Sequence, residues 1–502
     1  MLFLFGAMMA ALLAQGPSGA DPNAGTVWVN VPKAGTLPAG VTHHVYRSAS
    51  MGHDVGFLIY LPPQYASEPE RRFPVIYNLH GAGGNELHGQ LAAEILHEGI
   101  VAKRWPPMIL AMPNGGKYTF YKDSANGKYM GETTIVRELI PHVDRTFRTI
   151  AGREGRAIEG FSMGGRGATR LAMKYPDLFC SLFNQAGNVY HTSEQYDPSK
   201  PDVYPNNYLG KDRQRYVEND TFLLLQANVE KIRNRMRIQI ACGTKDDGHL
   251  KTVREFHQAL LNADVDHTYL EIESLAHEQS KMLQLYRPVW FDYHAESFRR
   301  AQSTVWSFDN IGKIGGYKTE VLGAPKVVDT ELGKAIWFDG QDDAIYVPKH
   351  PLAGAAAFTW EAIFRPDGGA FEQRWFHLAE QADGVDTGNR MLFEIRVTNG
   401  NWYLDSFAAT KTGAKALLNK EHLHPVGSWY HVASVYDGRT FRNYVNGKLE
   451  GSGDVAFSPM GDGRSSIGVR INKVNYFRGA VLRARFTKRA LRPEEFWAAP
   501  GR

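Results

Sequence analysis

The chain has 502 residues, more than one hydrophobic core of roughly 250–300 residues serves, so at least two domains are expected. Its composition is 43% hydrophobic, 12% aromatic and 22% charged, which excludes a disordered or fibrous protein. The net charge of +4 is spread as 32 basic and 31 acidic residues up to residue 302 and 25 and 22 after it, which excludes an electrostatic nucleic-acid binder.

In chain order, Met1 to Ala14 is an apolar run followed by Gln15-Gly16-Pro17-Ser18-Gly19-Ala20. This reads as a signal peptide, residues 1–20, cleaved after Ala20, although no Lys or Arg precedes the run. The run is too short for a bilayer, which needs about 20 apolar residues, and no later stretch is apolar enough to span. A secreted mature protein, extracellular or periplasmic, is therefore expected. The two cysteines, Cys180 and Cys242, fall near predicted strands without metal or redox spacing and read first as buried free thiols, with a disulfide between them the alternative.

From about Gly40 to Arg300 short apolar runs alternate with amphipathic stretches, the pattern of an α/β domain with a largely parallel sheet. Strands are predicted at 57–61, 75–79, 108–112, 156–159, 238–242 and 268–272, with helices over 133–147, 165–175 and 253–261. After about Ala301 the texture changes to alternating aromatic and polar residues with Asp-Gly and Asn-Gly turns, the pattern of an antiparallel all-β sandwich. The expected domains are 21–302 and 303–502.

The chemistry concentrates in the first of these. A serine hydroxyl is a poor nucleophile until a base takes its proton, so serine catalysis needs a tight turn that exposes the oxygen beside a histidine. Gly160-Phe161-Ser162-Met163-Gly164, with a strand before it and a helix after it, suits such a turn and makes Ser162 the candidate nucleophile. The alkoxide formed on attack needs preorganised N–H donors. His80-Gly81-Ala82-Gly83-Gly84 follows the strand ending at Leu79, so the donors are assigned to the backbone N–H groups of Ala82 and Met163.

Chain order then places an acid and a base after the serine. Gly243-Thr244-Lys245-Asp246-Asp247-Gly248 follows a strand, with Asp246 the choice for the acid and Asp247 the alternative. His277 follows the next strand and is the candidate base, ahead of His249, His257, His267 and His294, whose positions fit the order less well. No metal or cofactor is called for by this set. The segment 188–234, rich in Tyr and Asn, is expected to form the lid that selects substrate.

Phe57 to Tyr65, Phe73 to Tyr77 running into His80-Gly81-Ala82-Gly83-Gly84, and Gly160 to Gly165 together resemble the bacterial esterase D-like group. That group includes the feruloyl and acetyl xylan esterases of carbohydrate esterase family 1. The resemblance covers about residues 40–300 and implies an α/β-hydrolase fold, no cofactor, and an acyl-enzyme mechanism on Ser162, Asp246 and His277. One departure is that Glu278-Gln279-Ser280-Lys281 follows His277 where many relatives have an aromatic run with Trp. The same family contains siderophore esterases and acyltransferases, so the fold leaves the acyl group open.

Residues 305–498 resemble laminin G-like, or concanavalin A-like, jelly-roll sandwich modules through Lys334 to Gly340, Phe358 to Ala362, Trp429 to Ala433, Tyr444 to Gly447 and Phe477 to Val481. Such modules often bind glycans, but the individual rings read first as core. Asp309, Asp339, Asp342 and Asp343 could ligate calcium but read first as turn residues. The leading expectation is a secreted esterase that removes acetyl or feruloyl groups from an acylated polysaccharide. The alternatives are an acyltransferase or siderophore esterase, and a glycan-binding protein whose hydrolase domain is inert.

Overall fold

The computed structural model describes residues 21–200, 208–233 and 235–500. The expected signal peptide, 1–20, lies outside them, as does part of the expected lid. The chain divides into two compact units between Ala301 and Gln302.

In the first unit an eight-stranded sheet comprises β1 (Val41–Ser48), β2 (His53–Tyr60), β3 (Val75–Leu79), β4 (Ile109–Pro113), β5 (Arg156–Phe161), β6 (Ser181–Gln185), β7 (Arg237–Gly243) and β8 (His267–Ile272). Their order is β1-β2-β4-β3-β5-β6-β7-β8. The β1–β2 hairpin joins antiparallel at one edge, and the six strands from β4 to β8 run parallel. Helices α1 (Gln90–Val101), α2 (Met163–Lys174), α3 (Thr221–Ile232), α4 (Asp247–Asn262) and α5 (Asp292–Ala301) accompany it. Parallel strands covered by helices are buried throughout, and β3, β4 and β5 expose no residue.

Two strands absent from the sequence reading are β1 and β6. β6 reads Ser-Leu-Phe-Asn-Gln, too polar for a buried run, yet all five residues are buried because each polar side chain has a partner inside. Gln185 donates to the Glu159 carboxylate (2.9 Å), Asn184 to Thr169 Oγ1 (2.8 Å), and the Ser181 hydroxyl meets His294 Nδ1 (2.8 Å).

The helix expected over 133–147 forms, but Thr134–Leu139 is wound as π-helix before Ile140–Thr146 continues as α. Pro141 lacks the N–H that an α turn would donate to Arg137, and its ring would crowd that carbonyl. The ladder instead widens, with the Ile140 N–H bonded to the Ile135 carbonyl.

The second unit is all-β. One sheet runs through Glu320–Leu322, Ala344–Val347, Gly463–Ile467, Glu372–Ala382, Val385–Thr398, Asn401–Thr410 and Gly413–Leu418. The other runs through Lys326–Thr330, Gly333–Asp339, Arg478–Thr487, Phe358–Pro366, Tyr430–Tyr436, Thr440–Val445 and Lys448–Asp454. Aromatic rings from both sheets meet between them. Trp360 lies 4.2 Å from Phe393, and Phe364 stacks on Trp375 at 4.3 Å. Trp306, Trp360, Trp375 and Trp402 are fully buried, so these rings build the sandwich and are closed to stacking on sugars.

Candidate active site

The site is assembled at the carboxyl ends of the parallel strands. β5 ends at Phe161, and the chain turns into α2 through Ser162, whose φ of 55° and ψ of −119° are strained for a residue with a Cβ. The turn is held from both sides. The Ser162 N–H donates to the Gln185 carbonyl (2.9 Å), and the Ser162 carbonyl accepts from the Arg166 N–H (2.9 Å). The neighbouring glycines are needed for space. A Cβ on Gly160 would lie 2.5 Å from the Gly164 carbonyl carbon, and one on Gly164 would lie 2.0 Å from the Leu79 oxygen.

β7 and β8 bring up the other two groups. Their ends approach so closely that a Cβ on Gly243 would meet the Leu275 oxygen at 2.1 Å. Asp246 sits in the tight turn between β7 and α4, and its side chain is buried while Asp247 is exposed. Beyond β8, the Glu278 N–H bonds back to the Ala276 carbonyl (2.8 Å) and puts His277 at the apex of a three-residue turn.

The three candidate side chains meet there. His277 Nδ1 lies 2.6 Å from Asp246 Oδ2, and His277 Nε2 lies 2.8 Å from Ser162 Oγ. A carboxylate only accepts, so Nδ1 carries the hydrogen and Nε2 presents its lone pair to the serine hydroxyl. Burial pushes the Asp246 carboxyl up, but hydrogen bonds from His249 and His277 outweigh it and hold it down at about 2. Asp246 is therefore ionised at neutral pH. Asp247 makes no part of this set.

The other histidines are elsewhere engaged. His294 is fully buried between Ser181 and Glu159, and His257 and His267 bond to each other (2.7 Å) on α4 and β8. His249, by chain order a rival base, instead bonds to the second oxygen of Asp246 (2.7 Å). Nothing in the sequence marks that contact beyond its position three residues after the acid on a helix.

The loop after β3 supplies the remaining parts. Gly81 lies against Ser162, since a Cβ there would be 3.6 Å from the Ser162 Cβ. Met163 is the first residue of α2, so its N–H belongs to the unpaired first turn. Ala82, which follows Gly81, is exposed.

His80 fixes this loop. Its Nε2 accepts from the Gly115 N–H (2.9 Å), so its Nδ1 carries the hydrogen and donates to the Gly81 carbonyl (2.8 Å). Glu86 braces the far end, accepting from the Asn30 N–H (2.6 Å) and the Asn114 amide (2.8 Å), a role that sequence patterning did not reveal. One turn along α2 from Ser162, the Arg166 guanidinium lies over Phe120 (4.8 Å) and Tyr190 (4.5 Å), placing two aromatic rings beside the site.

Burial lowers the His80 pKa to about 4. A histidine depressed in the folded state favours folding fully above its unfolded value of about 6.5 and loses that advantage as pH falls to its folded value. Both states carry a neutral imidazole at pH 7, and acidification from about pH 6.5 to 4 costs up to about 3 kcal/mol of stability. Urea unfolding at pH 7 and pH 4.5 should show a smaller acid loss in His80→Gln than in the wild type.

Asp339, Asp342 and Asp343 of the second unit lie together, but Asp309 is not among them. Asp343 accepts from the Ala324 N–H (2.6 Å) and the Asp339 N–H (3.0 Å), and Asp339 accepts from the Gln341 N–H (2.8 Å). These are the bonds of a braced turn. Cys180 and Cys242 are both buried and free.

A strained serine between a parallel strand and a helix, joined through histidine to aspartate, defines the first unit as a domain of the α/β-hydrolase fold. Residues 48–282 match the family model "Putative esterase", and residues 339–496 match the "Concanavalin A-like lectin/glucanases superfamily". Over residues 48–282 the first domain is thus similar to the esterase family, and the second is a concanavalin A-like sandwich.

Over 148 residues the chain is 31% identical to an esterase of Mycobacterium tuberculosis, covering 29% of this chain and 32% of that protein. Over 149 residues it is 32% identical to an endo-1,4-beta-xylanase/feruloyl esterase of Xylanibacter ruminicola, covering 28% of this chain and 20% of that protein. The matches thus span a third or less of those relatives. A solved ferulic acid esterase is similar at 23% identity and a TM-score of 0.43, covering 51% of this chain and 98% of that one.

Proposed function

We propose that the protein is a secreted serine esterase that removes acyl groups, acetyl or feruloyl, from polysaccharide. The observation that carries the reading is the continuous hydrogen-bonded line from Asp246 through His277 to Ser162 at 2.6 and 2.8 Å. The Ser162 hydroxyl proton passes to His277 Nε2 as Oγ bonds the ester carbonyl carbon. The N–H groups of Ala82 and Met163 receive the alkoxide. Collapse breaks the bond to the sugar oxygen, which leaves with the proton from His277. Water then repeats the sequence on the acyl-enzyme and releases the acid.

The polysaccharide substrate is supported by the similarity to a protein that bears both xylanase and feruloyl esterase names, and by the attached concanavalin A-like domain. On this reading that domain brings the esterase to its glycan. Secretion is supported by the apolar leader at 1–14. Among the described residues no helix is long and apolar enough to cross a membrane. The test is release of acetate and ferulate from acetylated and feruloylated xylan by the wild type and by Ser162→Ala. Release by the wild type alone is expected, and equal release by both overturns the proposal.

A further inference from the structure

Asp246 serves two imidazoles. His277 Nδ1 takes Oδ2 at 2.6 Å and His249 Nδ1 takes Oδ1 at 2.7 Å, so both carboxylate oxygens are engaged by histidine. The two rings lie face to face, with centroids 4.0 Å apart and planes inclined by 7°. Phe161 also packs against the His277 ring, with centroids 4.6 Å apart and planes inclined by 33°. His277 is therefore packed between two neighbouring rings, with both of its nitrogens already bonded.

These contacts come from separate parts of the fold. His249 stands in the first turn of α4, His277 beyond β8, Phe161 at the end of β5, and Asp246 in the turn after β7. Among the described residues the only other ionisable group in contact with Asp246 is Cys242, 3.9 Å away on β7, whose thiol is pushed up to about 12 by burial and is neutral. Among the described residues no other ionisable side chain is hydrogen-bonded or ion-paired to His249. A histidine that merely filled space on α4 would need neither the bond to the acid nor the parallel stack on the base.

We propose that His249 is a positioning residue for the base, pinning the Asp246 carboxylate plane and setting the basicity of His277; this rests on the hydrolase reading above. Two effects follow. A donor on Oδ1 draws carboxylate charge away from His277 and lowers its basicity relative to an unshared aspartate. The His249 ring stacked on His277 also limits how far the base can turn away from Asp246.

The test is made on the full-length protein with His249→Ala and His249→Asn, the Asn amide standing where Nδ1 stands. With a p-nitrophenyl ester, His249→Ala should lose about tenfold in kcat, the scale of a small misplacement of a catalytic group, with KM within about twofold. His249→Asn should recover most of that loss. In histidine-selective NMR the His277 Hδ1 resonance, which reports its bond to Asp246, should move in His249→Ala and stay near the wild-type position in His249→Asn.

Unchanged kcat and an unmoved His277 Hδ1 resonance in His249→Ala would overturn the proposal. So would His249→Asn as defective as His249→Ala with the His277 Hδ1 resonance unmoved in both. The NMR measurement needs no turnover, so the two readings fail separately. A wild type without ester hydrolysis but with the His277 shift removes the hydrolase reading and keeps the coupling.

Discussion

Replacing Ser162 by alanine is expected to lower kcat for ester hydrolysis by about 10⁵–10⁶-fold, since the nucleophile and its base act as a unit. The far-UV circular dichroism should be unchanged, because the Ser162 backbone bonds to Gln185 and Arg166 do not involve the hydroxyl. Asp246→Asn should cost about 10⁴-fold, because an amide can hold His277 in the wrong tautomer. Steady-state kinetics on a short p-nitrophenyl ester checks both. The larger loss at the serine distinguishes a covalent role from a supporting one.

Gly164→Ala is expected to have the largest effect away from the reacting groups. Its Cβ would stand 2.0 Å from the Leu79 oxygen, 2.6 Å from the Leu79 carbonyl carbon and 2.9 Å from the His80 oxygen. All three are backbone atoms at the start of the loop that faces Ser162, so no side chain can swing aside. Either α2 or that loop must move. Overpacking of this kind costs about 3 kcal/mol or more, and a shift near 1 Å at the serine costs about 100-fold in rate.

Urea unfolding and kcat should therefore fall together. Gly248→Ala is the contrasting case, since a Cβ on that helical glycine meets nothing within 4 Å. It should unfold at or above the wild-type urea concentration, as alanine is the better helix former.

The serine turn was legible because its constraints are local. Gly160 and Gly164 are required by contacts within the strand-turn-helix unit and with β3, and such spacing leaves a pattern in sequence. Chain order then singled out Asp246 and His277, and the structure brings both to Ser162 while leaving Asp247 exposed.

What stayed hidden depends on distant partners. β6 looks polar until Glu159, Thr169 and His294 are placed around it. Glu86 looks like a surface carboxylate until Asn30 and Asn114 close on it. His249 looked like a competitor for His277 because a sequence shows two histidines near one acid but not that a carboxylate has two oxygens to share. The π-helical stretch before Pro141 was within reach, since the proline's missing donor is a local fact.

In the sandwich domain the alternation of aromatic and polar residues announced the class, and the buried tryptophans follow from it. Their burial leaves glycan recognition, the role proposed for this domain, to residues other than Trp306, Trp360, Trp375 and Trp402.

The most direct test of the central claim is to catch the acyl group on the chain. The protein is mixed with a slowly deacylated feruloyl ester, quenched in acid within one turnover, and read by intact-mass and peptide mass spectrometry. The account predicts a feruloyl adduct on the peptide carrying Ser162, absent from Ser162→Ala and strongly reduced in His277→Ala. Ester turnover by the wild type with an adduct on another residue, or at an undiminished rate in Ser162→Ala, would contradict it.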